Sequence, residues 1–261
     1  MNHRLPHVAS LFFTLCFISC LLCQQTQAKD WTTYLGDKAR SGATSDSFQI
    51  PLKSSWKHTA PRPPQTSQTD PGERVMEGHD LEARVDFDDA FHIAISEGRA
   101  YYGSSVDHQL RCVDLKTGKV IWQFFSGGPI RLAPTINQSN ILFGSDDGFV
   151  YCLNAASGKE LWKLRAGLND EMIIARGEMV SRWPVRTSIL VDEGIAYFGA
   201  GIFPHENIYL YAVNADSGKV IWKVDNLSQS SAGRNELSPQ GYLLAGCPEM
   251  KSSGIAIKPG N

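Results

Sequence analysis

Beyond residue 28 the sequence holds only three cysteines, Cys112, Cys152 and Cys247. So few thiols, and an odd number of them, cannot form a disulfide framework, and packing must hold the fold together. An excess of charge of one sign is also missing. The 25 basic and 27 acidic residues leave a net charge of −2, spread along the chain. Without a basic stripe to neutralise phosphates, the sequence argues against a nucleic-acid partner. Long apolar runs are scarce too: the stretch from Val8 to Cys23 is marginal against the ~20 residues that a membrane-crossing helix needs, and a short membrane anchor is the competing reading of it. Beyond residue 28 there is no His-x-x-x-His, Cys-x-x-Cys, Gly-x-Ser-x-Gly or phosphate-binding glycine loop. Zinc hydrolysis, serine hydrolysis and kinase chemistry therefore have no local support.

What is present begins with a targeting signal. Arg4 precedes the apolar run, and a polar stretch ending in Thr26-Gln27-Ala28 follows it. That order is expected of a secretory signal cleaved after a small residue, so residues 1–28 are set apart from the fold and the protein is expected to be exported, to a periplasmic or extracellular space. A second reading is a lipoprotein signal with Cys20 as the lipidated residue. Phe17 stands where a small aliphatic residue is usual, and membrane attachment is expected only if Cys20 is modified.

Residues 29–261 are governed by repetition. Three segments share a strand, an Asp or Asn, a Gly-Lys turn and a closing tryptophan: Leu110 to Trp122, Val150 to Trp162, and Leu210 to Trp222. Asp or Asn opens each turn by bonding the backbone just beyond it, and the glycines Gly118, Gly158 and Gly218 supply the positive φ the turn needs. Before each hairpin lies an apolar strand ending in glycine, Ala100 to Gly103, Ile141 to Gly144 and Ala196 to Gly199, each preceded by a short polar turn. The pattern predicts four antiparallel strands per unit, and units near forty residues long are the size of a β-propeller blade.

The segments between blades are expected to be loops or insertions. One is the Pro-, Gln-, Thr- and Asp-rich stretch 60–82, and the other spans 169–181. Trp56 is expected to close an outer strand over 51–57, and 241–246 to open a further blade. The chain thus reads as an all-β propeller with an incomplete ring of about four to five blades, and as a fragment of a longer protein.

The three copies resemble the tryptophan-docking motif of the pyrroloquinoline-quinone-type propellers, and the resemblance extends over residues 31–261. It implies that Trp122, Trp162 and Trp222 lock neighbouring blades, each indole lying on the glycine turn of the next blade and its N–H bonding a main-chain carbonyl. Cys112 and Cys152 stand where Ala212 stands in the third copy, so they read as small packing residues rather than reactive thiols. Two functional classes carry this repeat. One is the non-catalytic exported scaffold or binding module, similar to the BamB-like propellers of outer-membrane assembly. The other is the quinone-dependent alcohol or sugar dehydrogenase, which would bring the quinone and Ca2+ as cofactors. A sensory ectodomain is a third class on which the sequence is silent.

No adjacent cysteine pair of the kind many such dehydrogenases carry is present beyond residue 28. The acidic stretch from Glu77 to Glu82 with Asp86, Asp88 and Asp89 offers oxygen ligands for a hard cation but lacks the spacing of a calcium loop, and reads as solvated. One constellation points to a ligand. Arg131 precedes Gly144 by the same interval as Arg186 precedes Gly199. Two arginines at equivalent inner-strand places would approach the central channel and could grip a carboxylate or phosphate. Arg182, Asp89 and His92 would border its mouth. The competing role for the pair is structural, neutralising an internal carboxylate such as Asp107, Asp147 or Asp192. Protein partners or a small anion are the expected ligands.

Overall fold

The computed structural model describes residues 29–48, 50–60, 62–67, 88–202, 206–225, 227 and 239–246. The signal segment, Cys20, Cys247 and most of the acidic stretch lie outside the described residues. Within them the architecture is a propeller arc of three complete four-stranded antiparallel sheets. The first holds β1 (Ile93–Ser96), β2 (Arg99–Gly103), β3 (Gln109–Asp114) and β4 (Val120–Phe125). The second holds β5 (Thr135–Asn137), β6 (Asn140–Gly144), β7 (Phe149–Asn154) and β8 (Glu160–Arg165). Next in the chain come β9 (Met172–Ala175) and β10 (Glu178–Ser181), a separate two-stranded ribbon. The third blade holds β11 (Leu190–Asp192), β12 (Ile195–Ala200), β13 (Tyr209–Asn214) and β14 (Val220–Val224).

Local chemistry makes the repeated hairpins alike. Thr117 N donates to Asp114 Oδ1 at 2.7 Å, Ser157 N to Asn154 Oδ1 at 3.0 Å, and Ser217 N to Asn214 Oδ1 at 2.9 Å. A bulge follows at the same place in each blade, at Cys112/Val113, Cys152/Leu153 and Ala212/Val213. It sets Cys112 opposite Trp122, Cys152 opposite Trp162 and Ala212 opposite Trp222. A small buried side chain is what leaves room for the indole across the ladder.

Each described docking contact joins one blade to the next. Trp122 lies against Gly158, and its Nε1 donates to Ala155 O at 3.0 Å. Trp162 lies against Gly218 and donates to Ala215 O at 3.2 Å. Trp56 does the same to the first blade, against Gly118 with a 2.6 Å bond to Leu115 O. Behind these contacts, two clusters of buried side chains fill the seams. One runs from Tyr101 and Leu110 to Phe143 and Leu153, the other from Leu142 and Val150 to Phe198 and Val213. At roughly 1.5–3 kcal/mol for each large apolar side chain, these seams dominate the stability of the arc.

Three expectations are corrected. Residues 51–57 form no strand; Trp56 docks from an unpaired stretch. Residues 241–246 open no further sheet, and Gly241 makes a single parallel bridge to Thr187. The insertion over 169–181 is ordered as the β9–β10 ribbon, turned by Arg176 (φ 52°) and Gly177 (φ 80°), so it is a hairpin and not a plain loop.

The amino-terminal segment lies along the inner edges of the blades. Trp31 exchanges two bonds with Ile95 of β1, at 2.8 and 2.7 Å, and Ile136 N of β5 donates to Thr32 O at 2.8 Å. Arg40 reaches Ser188, just before β11, and Ala245 N donates to Lys38 O at 2.9 Å. One segment thus touches the inner side of all three blades, as a shared hub.

Candidate functional site

The segment entering each new blade is stitched to the β2–β3 or β6–β7 turn of its predecessor. Ile130 N donates to Ser104 O at 3.2 Å, and Val185 N to Ser145 O at 3.1 Å. These stitches are tight enough that a Cβ on Gly144 would fall 2.4 Å from Val185 Cγ1, which is why glycine ends β6. They also fix the residue after each stitch. Those residues are Arg131 and Arg186.

Both arginines therefore stand on the segments leading into β5 and β11, not on the inner strands themselves. They meet at one carboxylate. Arg131 Nε donates to Asp146 Oδ2 at 2.7 Å, while Arg186 grips the same group with Nε on Oδ1 and NH2 on Oδ2, each at 3.0 Å. Arg131 NH1 also donates to Asp88 Oδ2 at 2.9 Å and to the Gln65 carbonyl at 2.7 Å. Ser67 N donates to the same Asp88 oxygen at 2.7 Å. The two arginine side chains are 7% and 4% exposed and the two aspartates 2% and 1%, so the four charges form a buried, internally neutral network. A buried charge is tolerated when it is paired and hydrogen-bonded in this way.

The sequence pointed to other carboxylates. Asp107 is taken by Arg111, Asp192 by Lys38 at 2.5 Å, and Asp147 accepts from Gly127 N and the Tyr151 hydroxyl. Asp146 is the partner because it directly follows the stitched Ser145, a placement visible only once the blades are laid side by side. Arg182 stands apart, pairing with Glu171 at 2.7 Å and with Glu206. Asp89 is exposed.

His92 belongs to an aromatic cluster beside the network, one that sequence reasoning missed. Tyr34 and Tyr242 stack with centroids 3.6 Å apart, and His92 meets both edge-on at 5.5 and 5.4 Å. Ala133 N donates to the Tyr242 hydroxyl at 3.1 Å. Burial, reinforced by the nearby Tyr34 and Asp88, pushes that phenol well above its ordinary range. Tyr34 and Tyr242 are over two hundred residues apart in the chain, which is why no local pattern announces them.

The arrangement has little capacity for hard-cation chemistry. Asp88 and Asp146 each already accept from guanidinium groups, and among the described residues no three His, Cys, Asp or Glu side chains converge. The described residues do not fit the cation site that a quinone-dependent dehydrogenase would need.

Comparison with known proteins places the chain among tryptophan-docked propellers. It is 35% identical over 81 residues to the quinoprotein ethanol dehydrogenase of Pseudomonas putida, covering 27% of this chain and 13% of that protein. It is 26% identical over 122 residues to the tetrathionate hydrolase of Acidithiobacillus ferrooxidans, covering 47% and 21%. The chain thus spans about a fifth or less of the length of these curated relatives. Among solved structures, quinohemoprotein alcohol dehydrogenase from Comamonas testosteroni superposes with a TM-score of 0.54 at 17% identity, covering 75% of this chain and 27% of that one, a likeness of fold. The family model described as outer membrane protein assembly factor BamB matches residues 106–261, more than half of the sequence, and the chain belongs to that family of β-propeller repeat proteins.

Proposed function

We propose that the protein is an exported, non-catalytic propeller scaffold that binds protein partners in the cell envelope. Arg131 and Arg186 carry the proposal: the guanidinium forks that would offer a ligand site in the channel are both closed on Asp146, with Asp88 completing the charge balance. An incoming carboxylate or phosphate would have to displace Asp88 from a site that is already neutral. The description of the family, an outer-membrane assembly factor, agrees with a binding role, and the amino-terminal signal pattern agrees with export.

A surface suited to protein contact is present on the β9–β10 ribbon. Ile174 and Met179 stand directly opposite one another and are 78% and 53% exposed, with Leu168 nearby in sequence at 70%. An exposed apolar pair across a hairpin is a surface that a protein partner could cover.

The second reading is a piece of a quinone-dependent alcohol or sugar dehydrogenase, favoured by the identity to the Pseudomonas putida enzyme. Adding pyrroloquinoline quinone and Ca2+ to the full-length protein and following dye reduction with simple alcohols and aldoses separates the two. The scaffold reading expects neither quinone binding nor turnover, and alcohol-dependent reduction overturns it. Replacing Arg131 and Arg186 together by glutamine tests the channel itself: anion binding that survives the change removes both residues from any ligand site.

A further inference from the structure

A cavity of about 100 Å3 lies between β5 and β11, where the hub segment passes their inner edges, lined among others by Thr32, Lys38, Arg40, Asn137 and Val191. It is separate from the Arg131–Asp146–Arg186 network, none of whose residues line it. We propose that it is a binding site for a small organic carboxylate. The cavity combines a suitable size, an amphipathic lining and hydrogen-bonding groups that the fold leaves unused.

Size comes first. A dry cavity of roughly 150 Å3 is enough for benzene, so this one suits a ligand of about four or five non-hydrogen atoms. The lining has two kinds of surface. Ile136, Leu190 and Val191 supply an apolar wall, the first two of them buried. Thr32 and Asn137 are half-buried, and their side chains make no hydrogen bond to any described residue. Polar groups facing a recess without a partner are what a small ligand's orientation depends on.

The charge at this site favours an acceptor. Arg40 donates to Leu243 O at 2.9 Å, Thr33 Oγ1 at 2.6 Å, Tyr34 O at 3.0 Å, Asp37 O at 3.3 Å and Ser188 Oγ at 3.3 Å. All five are neutral oxygens, and no carboxylate oxygen among the described residues bonds this guanidinium. Lys38 Nζ gives one proton to Asp192 at 2.5 Å and keeps two available. Asp37 also lines the space, but its carboxylate is engaged by Ser41, through the backbone N at 3.0 Å and the hydroxyl. Lys38 and Arg40 bring two positive charges to the lining against the single carboxylate of Asp37. A short-chain carboxylate would set its oxygens toward Lys38 and Asn137 and its alkyl part against Ile136 and Val191.

The test is protein-detected NMR and calorimetric titration of the full chain at pH 7 and constant ionic strength, with propionate, the isosteric propionamide and chloride. Propionate is expected to bind with a dissociation constant on the order of 1 mM, to move the amide signals of Ile136, Asn137 and Val191 first, and to bind at least tenfold more tightly than propionamide. Asn137→Leu, which keeps the branched four-atom shape but removes the amide, and Lys38→Met are each expected to weaken propionate about tenfold. Propionamide binding as tightly as propionate, signals moving elsewhere, or no binding of propionate at 100 mM overturns the proposal. Should either variant fail to fold, the contrast between propionate and propionamide on the unaltered chain decides alone.

Discussion

The indole of Trp122 lies on the turn at Gly158 of the next blade with its N–H held by Ala155 O at 3.0 Å, and Trp162 repeats the relationship one blade on, at Gly218 and Ala215. Each tryptophan is thus satisfied by a residue more than thirty positions away in sequence. Two conditions fall on the glycine at once: a positive φ, and no atom where Cβ would stand.

Gly158→Ala should violate both. Gly158 has φ +70°, and its new Cβ would stand 2.6 Å from Trp122 Cδ2. Left-handed strain of about 1–2 kcal/mol adds to overpacking of about 1–3 kcal/mol. Gly194→Ala is the control, with φ +77° and open space around the added methyl, so only the strain applies. Urea unfolding should show the first substitution costing about twice as much stability as the second, or more. Equal costs would mean that the docking contact contributes little.

Asp146→Asn removes the carboxylate that Arg131 and Arg186 share. One formal charge vanishes from a buried, neutral group of four, leaving two guanidinium groups with Asp88 alone. Breaking a buried pair from one side costs about 3–5 kcal/mol. The expected result is a large drop in the urea midpoint, partly recovered by adding Arg186→Met, which withdraws the excess positive charge. A loss below about 1 kcal/mol would place the network at the margin of stability rather than its centre.

The blades were legible in the sequence because they are local: the turn carboxylate or amide, the glycine and the tryptophan lie within a dozen residues. The two arginines were legible as an equivalent pair because repetition preserves spacing. Their partner was not, since Asp146, Asp147 and Asp107 are interchangeable by composition, and only the stitch between Ser145 and Val185 selects Asp146. The Tyr34–Tyr242 stack and the Arg40 hub were invisible for a different reason. They join the two ends of the described chain, and no periodicity links residues so far apart. The β9–β10 ribbon carries no such mark, because a single short hairpin, half of whose apolar groups face solvent, lacks the sequence alternation of a core strand.

Ile174→Lys and Met179→Glu on that ribbon should leave the fold intact, because both side chains are largely exposed and surface substitutions typically change stability by no more than about 0.5 kcal/mol. The opposite charges stand across the hairpin and should even support it slightly. The measurement that matters is crosslinking of the wild-type and doubly substituted proteins in envelope preparations. Crosslinks lost in the variant at unchanged thermal midpoint support the ribbon as the contact surface. Retention of every crosslink removes it from consideration.

The buried thiols and phenols set an alkaline limit on the fold. Burial pushes Cys112 from 9.0 up to about 11 and Cys152 up to about 12, while Tyr101 and Tyr211 rise from 10.0 to about 12. Each group keeps its proton longer folded than unfolded, so its stabilising share is whole below the unfolded pKa and is lost as pH climbs through the folded one. Stability should hold level to about pH 8.5 and then fall progressively between about pH 9 and 12. Thermal midpoints taken in half-unit steps over that range check the slope. At pH 8, where both thiols are protonated and buried, a thiol reagent should leave Cys112 and Cys152 unmodified in the native protein and label them in denaturant. Rapid native labelling of either one would contradict the inter-strand packing role assigned to it beside Trp122 or Trp162.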